Sequence, residues 1–274
     1  MSFSLKEIRK SKPVLIMGII NLSPDSFFQR STATSDKEAV ECAERMMEEG
    51  ADILDLGAES SRPGACTIPE SEELRELCGR YPIPISVDTY KPAVVEKMLD
   101  QGVQLINDIT GLQRYPETAK LVARYQAGIV LMHMKGTPET MQDHPDYDDL
   151  IAEVLDFLKN SIAIAKDAGI SDDSTIIDPG IGFGKKVEDN LELLRKLKRF
   201  KILNRNIMVG ISRKSFIGKL LNRQVEDDRL SGSLAAGLLA VQNGATLLRV
   251  HDVKETVDAV KMMQMISTSN DREN

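Results

Sequence analysis

The segment ILDLGAESSRPG, residues 53–64, joins a short apolar run to a loop that carries two hydroxyls and one guanidinium. Asp55 lies inside the apolar run, where a carboxylate is costly unless a polar group meets it. The run must then end, because proline lacks a backbone N–H and serine and glycine favour turns. Arg62 offers a planar fork of donors that suits a phosphate or a carboxylate. The segment alone also fits a loop with one solvated arginine, and only the rest of the sequence can distinguish this from an anion-binding loop.

Polar side chains also follow the other apolar runs of the chain, and they fall into two sets. The first set could hydrogen-bond a flat nitrogen heterocycle, because carboxylates accept from ring N–H groups and a lysine donates to a ring carbonyl. Its members are Asp88, Asn107, Asp178 and Lys214. The second set could form a rim for phosphate oxygens and, through Asn21, for a bound Mg²⁺. Its members are Asn21, Arg62, Arg249 and His251.

Several strand-end residues also have a purely structural explanation. Asp88 or Asp108 could cap the following helix, and Asp178 could fix the turn at Pro179-Gly180. Asp252 is expected to cap the last helix, and His133, between two methionines, is expected to be a hydrogen-bonded structural histidine. The glycines at 182 and 184 lack the spacing of a P-loop. The sequence contains no Ser-His-Asp or Cys-His set, no HExxH and no zinc spacing, so covalent catalysis is not indicated.

These residues are carried by eight alternating strand and helix segments. The predicted strands are 14–20, 52–56, 83–87, 103–106, 128–132, 174–177, 206–210 and 245–250. The predicted helices are 36–49, 70–77, 92–101, 116–125, 147–168, 188–200, 230–242 and 253–265. The strands are continuous apolar runs, as expected when both faces of a parallel sheet are buried. The pattern predicts one (β/α)8 barrel (TIM barrel) domain over 1–274, with flexible tails at 1–12 and 267–274; a doubly wound open sheet is the alternative.

Charge and cysteine content narrow the class of protein. A net charge of -7 argues against a broad basic face for nucleic acid but leaves room for a local basic pocket. Three cysteines without metal-ligand spacing suggest a reducing compartment. The N-terminus lacks the apolar core of a secretory signal, and no apolar run reaches the ~18–20 residues of a membrane span. We expect a soluble cytoplasmic protein that binds neither nucleic acid nor membrane.

Eight segments, one at each predicted strand, resemble the dihydropteroate synthases, the pterin-binding enzymes of folate biosynthesis that sulfonamides inhibit. They are 17–27, 55–65, 86–92, 105–112, 131–142, 176–185, 209–218 and 248–256. The resemblance implies a (β/α)8 barrel that forms a homodimer through its last helices. It also implies a Mg²⁺-dependent transferase that condenses 7,8-dihydropterin-6-ylmethyl diphosphate with 4-aminobenzoate and releases diphosphate. Sulfonamides would then compete with 4-aminobenzoate.

The resemblance also implies roles for individual residues. The pterin site would consist of Asp88, Asn107, Ile109, Met132, Asp178, Gly182, Phe183 and Lys214. The diphosphate site would consist of Asn21, Arg62, Arg249 and His251, with Asn21 also at the Mg²⁺. The 4-aminobenzoate site would consist of Phe27, Ser61, Arg62, Pro63, Phe183 and Ser215. The catalytic set would be Asp88, Lys214, Arg249, His251 and Arg62.

Two segments depart from the family pattern and leave alternatives open. Residues 28–31 lack the glycines usual in the first loop, and residues 65–82 leave room for only a short second helix. These departures are compatible with a catalytically silent paralogue that binds pterin. A pterin-dependent methyltransferase domain that serves a corrinoid protein is the other alternative, although it would need neither the diphosphate rim nor the Lys214 loop.

Overall fold

Eight parallel strands pair in chain order and close into a barrel, as a computed structural model shows. The structure describes residues 2–10, 12–22, 33, 36–57, 78, 81–137, 140–141 and 145–268. The strands are β1 Leu15–Asn21, β2 Ile53–Gly57, β3 Ile85–Asp88, β4 Leu105–Asp108, β5 Gly128–Met132, β6 Thr175–Asp178, β7 Asn206–Gly210 and β8 Leu247–Val250. Because β1 pairs with both β2 and β8, the sheet has no open edge. The predicted (β/α)8 barrel is confirmed and the open sheet is excluded.

Helices surround the barrel. Those within the described residues are α1 Leu5–Arg9, α2 Asp36–Glu48, α3 Pro92–Asp100, α4 Thr118–Arg124, α5 Leu150–Asp167, α6 Val187–Arg195, α7 Ser215–Leu221, α8 Leu230–Gln242 and α9 Val253–Thr268. Short 3-10 helices cover Asp172–Ser174, Leu197–Leu203 and Glu226–Arg229. The predicted helix 188–200 is in fact α6 followed by a 3-10 segment, and α7 was not predicted. The predicted helix 70–77 lies outside the described residues.

Local sequence explains where several helices begin and end. The carboxylate of Asp149 caps α5 by accepting from the Ala152 N–H at 3.1 Å. Gly169 follows α5 with a φ of 94°, a left-handed conformation that glycine adopts without steric cost. Pro92 opens α3, where its missing N–H would have no helical partner. These signals make the predicted helix bounds accurate to within a few residues.

The barrel interior is apolar at the end where the strands begin. One cluster contains Leu15, Met17, Ile53, Leu105, Val130, Ile176, Met208 and Leu247, together with Phe3 and Leu5 from the N-terminus. Phe3 and Leu5 are buried and close this end of the barrel. A Cβ at Gly128 would overlap the ring of Phe3, so glycine is required there. The segment 1–12, expected to be a flexible tail, therefore contains residues that pack into the barrel.

None of the described helices is long and apolar enough to cross a membrane.

Candidate active site

At the other end of the barrel the inward-facing positions become polar. Side chains on a strand alternate between its two faces, so the residue two positions beyond an inward apolar one also faces inward. Asp55 thus follows Ile53, Asn107 follows Leu105, and Asp178 follows Ile176. By the same parity Arg249 follows Leu247. The pairing of Asp88 with both Gly57 and Asn107 places these strand ends at one level, so the barrel mouth carries a layer of charged and amide groups.

Arg249 lies at the centre of this polar layer. Its Nε is 2.6 Å from Oδ2 of Asp55, and its Nη2 is 3.0 Å from Oδ2 of Asp88. Burial by itself would lower the pKa of Arg249, but the carboxylates of Asp55 and Asp88 outweigh burial and raise it. The guanidinium is therefore held in one orientation by charge-assisted hydrogen bonds to two strands.

Asp55 and its neighbours leave hydrogen-bond acceptors unsatisfied inside the barrel. The amide of Asn107 donates to Oδ2 of Asp55 over 3.4 Å. Oδ1 of Asp55, Oδ1 of Asn107 and Oγ of Ser86 are buried and have no hydrogen-bond partner among the described residues. A buried acceptor without a partner costs about 1–3 kcal/mol, so such a group is retained where it can meet a donor. These atoms are well suited to the N–H groups of a bound ligand.

Asp178 and Lys214 form the opposite side of the layer. Oδ1 of Asp178 accepts from the Gly180 N–H at 2.7 Å. Asp178 therefore also fixes the turn at Pro179-Gly180, which was one of the two roles that the sequence suggested for it. Burial raises the pKa of Asp178, and Lys214 acts against that change. Burial lowers the pKa of Lys214 to about 8, with Asp178 again opposing. The ammonium of Lys214 donates to the carbonyl of Ile181 and lies 4.5 Å from the centre of the Phe183 ring.

The remaining predicted pterin residues lie around this pair. Met132 ends β5 opposite Asp178 and is buried, and Ile109 follows β4 and is half-buried. Gly182 packs against the side chain of Lys214: a Cβ there would lie 3.0 Å from Cδ of that lysine. Phe183 is half-buried and faces the Lys214 ammonium. Ser215 begins α7 directly after Lys214 and is exposed.

In addition to Arg249, the structure describes two members of the predicted phosphate rim, His251 and Asn21. Nδ1 of His251 lies 3.0 Å from the hydroxyl of Ser212. Burial, followed by the charges of Arg249, Arg213 and Lys214, lowers the pKa of His251 to about 3, so its imidazole is neutral near pH 7. Asn21 ends β1 and pairs with Gly57; its amide oxygen would be 3.4 Å from a Cβ at that glycine. The predicted residues Phe27, Ser61, Arg62 and Pro63 lie outside the described residues.

Other strand-end acids hold the loops in place. The carboxylate of Asp108 accepts from Thr110 N–H and Oγ1, both at 2.7 Å, and from Leu112 N–H at 2.9 Å, so it orders its own turn. Asp252 directly precedes the last helix, as expected, and its carbonyl accepts from the Thr256 N–H at 3.1 Å. Its carboxylate, however, binds Arg213, through Nε at 2.9 Å and Nη2 at 2.7 Å. A buried guanidinium is a stronger partner than helix N–H groups, and this pair ties the loops after β7 and β8 together.

Sequence reasoning missed three residues that shape the site. Asp55 was recognised as an acid in need of a partner, but the partner, Arg249, is 194 positions away. The sequence assigned no role to Arg213 and Lys185, although both are buried. His133, in contrast, is a buried structural histidine as expected: its Nδ1 lies 2.9 Å from Lys185 Nζ, and its ring meets Phe157 edge-on with centroids 4.8 Å apart.

Comparisons with known proteins agree with this geometry. The family described as "Pterin binding enzyme" matches residues 17–251. The dihydropteroate synthase of Escherichia coli K12 is 43% identical over 256 residues, which cover 91% of this chain and 90% of that one. A solved Yersinia pestis dihydropteroate synthase with a sulfonamide drug complex is 38% identical, with a TM-score of 0.86 over 94% of this chain and 95% of that one. A Xanthomonas albilineans dihydropteroate synthase with 4-aminobenzoic acid is 43% identical, with a TM-score of 0.82 over 93% and 94% of the two chains. Together with the barrel and its polar mouth, these similarities show that the chain belongs to the dihydropteroate synthase family of pterin-binding enzymes.

Proposed function

We propose that the barrel mouth condenses 7,8-dihydropterin-6-ylmethyl diphosphate with 4-aminobenzoate, forming 7,8-dihydropteroate and diphosphate. The observation that carries this proposal is the placement of Arg249 between Asp55 and Asp88, beside His251 and facing Lys214. Cationic groups for a diphosphate and acceptors for a pterin thus lie in one layer. The family membership of the chain supports the same transferase reaction.

The pterin is recognised by the first set of polar residues. Asp88 and Asp178 accept from ring and exocyclic N–H groups, and the unsatisfied Oδ1 of Asn107 offers a further acceptor. Lys214 donates to a ring oxygen or nitrogen, because its pKa of about 8 leaves it mostly protonated at neutral pH. Apolar surface around the ring comes from Ile109, Met132, Gly182 and Phe183. Pairing of the buried acceptors with ligand N–H groups contributes both affinity and specificity.

The diphosphate is held by Arg62, Arg249, His251 and Asn21. His251 is neutral, and in the tautomer in which Nδ1 accepts from the Ser212 hydroxyl, Nε2 donates one hydrogen bond to the diphosphate. The amide oxygen of Asn21 is a suitable ligand for a hard cation such as Mg²⁺, which commonly takes few protein ligands and completes its shell with phosphates and water. Bound there, Mg²⁺ would neutralise charge on the leaving diphosphate.

The chain's own charges favour loss of the leaving group. As diphosphate departs, its negative charge grows next to Arg249, while positive charge develops on the methylene carbon of the pterin. The carboxylate of Asp88 stabilises that positive charge. The aniline nitrogen of 4-aminobenzoate then attacks the carbon and loses one proton to solvent. Because an aniline is weakly basic and already nucleophilic, no strong general base is needed.

The 4-aminobenzoate site is formed by Phe27, Ser61, Arg62, Pro63, Phe183 and Ser215. The Phe183 ring can stack on the benzoate, and Ser215 with Arg62 can meet the carboxylate. Sulfonamides would compete at this site.

One domain spans the chain, and the free cysteines Cys42 and Cys78 are compatible with a location in the reducing cytoplasm. A homodimer through the last helices is supported by exposed apolar side chains of α7 to α9, namely Leu220, Leu221, Leu239, Met262, Met265 and Ile266.

The test is diphosphate release from the dihydropterin ester with Mg²⁺, measured with and without 4-aminobenzoate. Release that depends on 4-aminobenzoate and yields dihydropteroate supports the proposal. Pterin binding without release would instead indicate a silent paralogue, and methyl transfer to a corrinoid protein would indicate the methyltransferase.

Two substitutions test the division of roles. Lys214→Ala should weaken binding of both the bare pterin and its diphosphate ester, whereas His251→Ala should weaken only the ester. Lys219→Ala, at an exposed lysine of α7, is the matched control and should leave both affinities unchanged. Equal losses for the two ligands in His251→Ala would contradict the proposed diphosphate role.

A further inference from the structure

Lys185 ends the loop that follows β6, and its side chain is buried, with 5% exposed. Its Nζ lies 2.9 Å from Nδ1 of His133, 2.9 Å from the carbonyl oxygen of Phe183 and 3.5 Å from the carbonyl oxygen of His133. All three partners are uncharged. Within the described part of the chain, Lys185 forms no ion pair with a carboxylate. A buried ammonium held only by neutral acceptors carries a desolvation cost, so a purely structural explanation is weak.

The loop is pressed against the end of β5 at the level of Lys185. Gly180 and Gly184 have φ values of 72° and 61°, in the left-handed region. A Cβ at Gly180 would overlap the carbonyl oxygen of His133, and one at Gly184 would overlap that of Lys135. Backbone therefore lies directly on backbone, and the Lys185 ammonium bridges the two layers between Phe183 and His133. The Phe183 backbone is thus held at its carbonyl by this bridge and at its N–H by the Gly180 carbonyl, at 3.1 Å.

The imidazole of His133 is a neutral acceptor for this bridge. Burial, followed by the charge of Lys185, lowers the pKa of His133 to about 2. Because the ammonium can only donate, Nδ1 of His133 accepts and the ring proton resides on Nε2. The hydrogen bond thus orients both side chains at neutral pH.

Asp178 experiences the positive charges of both Lys214 and Lys185. Both lysines act against burial, which raises the pKa of Asp178. Burial lowers the pKa of Lys185 to about 7, while Asp178 supports its charged form. The charged or titratable groups that act on Lys185 or its partner are His133 and Lys135 after β5, Asp178 at the end of β6, Asp189 on α6 and Lys214 after β7. A cation at position 185 therefore favours the ionised form of Asp178, one of the residues proposed to bind the pterin.

We propose that Lys185 is a positioning residue of the pterin pocket, which fixes the backbone that carries Phe183 and supplies positive charge near Asp178. Lys185 acts through these two residues and does not itself touch the substrate. The inference rests on the proposed pterin roles of Asp178 and Phe183. It separates two contributions, the shape of the loop and the charge state of Asp178.

The test compares Lys185→Met, which removes the charge but keeps an unbranched side chain of similar length, with Tyr147→Phe. The hydroxyl of Tyr147 donates to the carbonyl of Gly184 at 2.6 Å, so this control removes a hydrogen bond to the same loop without changing its charge. Calorimetry measures affinity for 6-hydroxymethyl-7,8-dihydropterin and for inorganic diphosphate with Mg²⁺. Steady-state kinetics measure the KM for 4-aminobenzoate, and circular dichroism checks folding.

In Lys185→Met we expect a loss of pterin affinity of about tenfold or more, as for removal of a charge-assisted interaction. The KM for 4-aminobenzoate should rise through Phe183, while diphosphate affinity stays within about twofold. Tyr147→Phe should keep the wild-type pterin affinity. In the wild type, affinity should fall in two steps as the pH rises, one through the pKa of Lys185 at about 7 and one through that of Lys214 at about 8. Lys185→Met should lack the step near pH 7 and keep the step of Lys214.

Three results would overturn the inference: an unchanged pterin affinity in Lys185→Met, an equal loss for pterin and diphosphate, or a step near pH 7 that persists in the variant. If Lys185→Met does not fold, Lys185→Gln, which keeps a donor without the charge, is judged by the same criteria. Asp178→Asn is measured alongside. Unchanged pterin affinity in Asp178→Asn would refute the proposed pocket, whereas a loss there with none in Lys185→Met would refute only the role of Lys185.

Discussion

Replacing Asp55 by asparagine tests whether the buried carboxylate of Asp55, inside the barrel, is the main group that holds the Arg249 guanidinium in place. Asp55 is fully buried and its Oδ2 lies 2.6 Å from Arg249 Nε. Removing one member of a buried ion pair costs about 3–5 kcal/mol. Here Asp88 still holds the guanidinium, and the asparagine oxygen can still accept, so we expect a loss of about 2–3 kcal/mol in the free energy of unfolding. That corresponds to a fall of about 4–5 °C in Tm for a chain of this size.

Asp88→Asn is the matched comparison, because it removes the second carboxylate from the same guanidinium. The Asp88 side chain is 21% exposed and lies 3.0 Å from Nη2, so solvent screens the pair and we expect a loss of only about 1 kcal/mol. Urea unfolding at pH 7.5 measures both variants. A loss below about 0.5 kcal/mol in Asp55→Asn, or a larger loss in Asp88→Asn than in Asp55→Asn, would refute the idea that Asp55 is the main partner of Arg249.

Three further outcomes follow from the same contacts. Gly180→Ala should destabilise the fold by at least about 2 kcal/mol in thermal unfolding, because its φ of 72° is strained for alanine and the new Cβ overlaps backbone; a loss below about 0.5 kcal/mol would contradict this packing. Arg213→Met should cost about 3 kcal/mol in urea unfolding by leaving the buried Asp252 carboxylate without its bidentate partner, and an additive double variant with Asp252→Asn would show that the two residues are not coupled. Acid should destabilise the protein: the pKa values of His133 and His251 fall to about 2 and about 3, so both stay neutral when folded. Unfolded histidines bind a proton below about pH 6.5, so each removes about 2 kcal/mol between pH 7 and pH 5; His133→Gln should flatten the measured slope, and an equal slope in that variant would argue against the buried neutral form.

The sequence alone was sufficient for the order of the elements and for the end of the barrel that carries polar groups. The run of β5 and residues 207–210 of β7 are apolar at every position, a pattern that only a strand buried on both faces requires. Because every parallel strand runs in the same direction, residues after such runs must gather at one end of the barrel. The predicted proximity of Asp178 and Lys214 follows from this logic and holds in the structure. Helix caps such as Asp149 are local signals and were also readable.

Which strand-end groups touch each other was decided only by the tertiary structure. Side chains alternate between faces, so an error of one residue in a strand boundary reverses which of them point into the barrel. Whether Asp55 meets Arg249 depends on that parity and on the register with which β8 closes onto β1. The hydrogen bonds from Lys185 to His133 and from Arg213 to Asp252 join loops 52 and 39 positions apart. No local pattern encodes such pairs, because they form only when barrel closure brings the loops together and burial makes an unpaired charge costly.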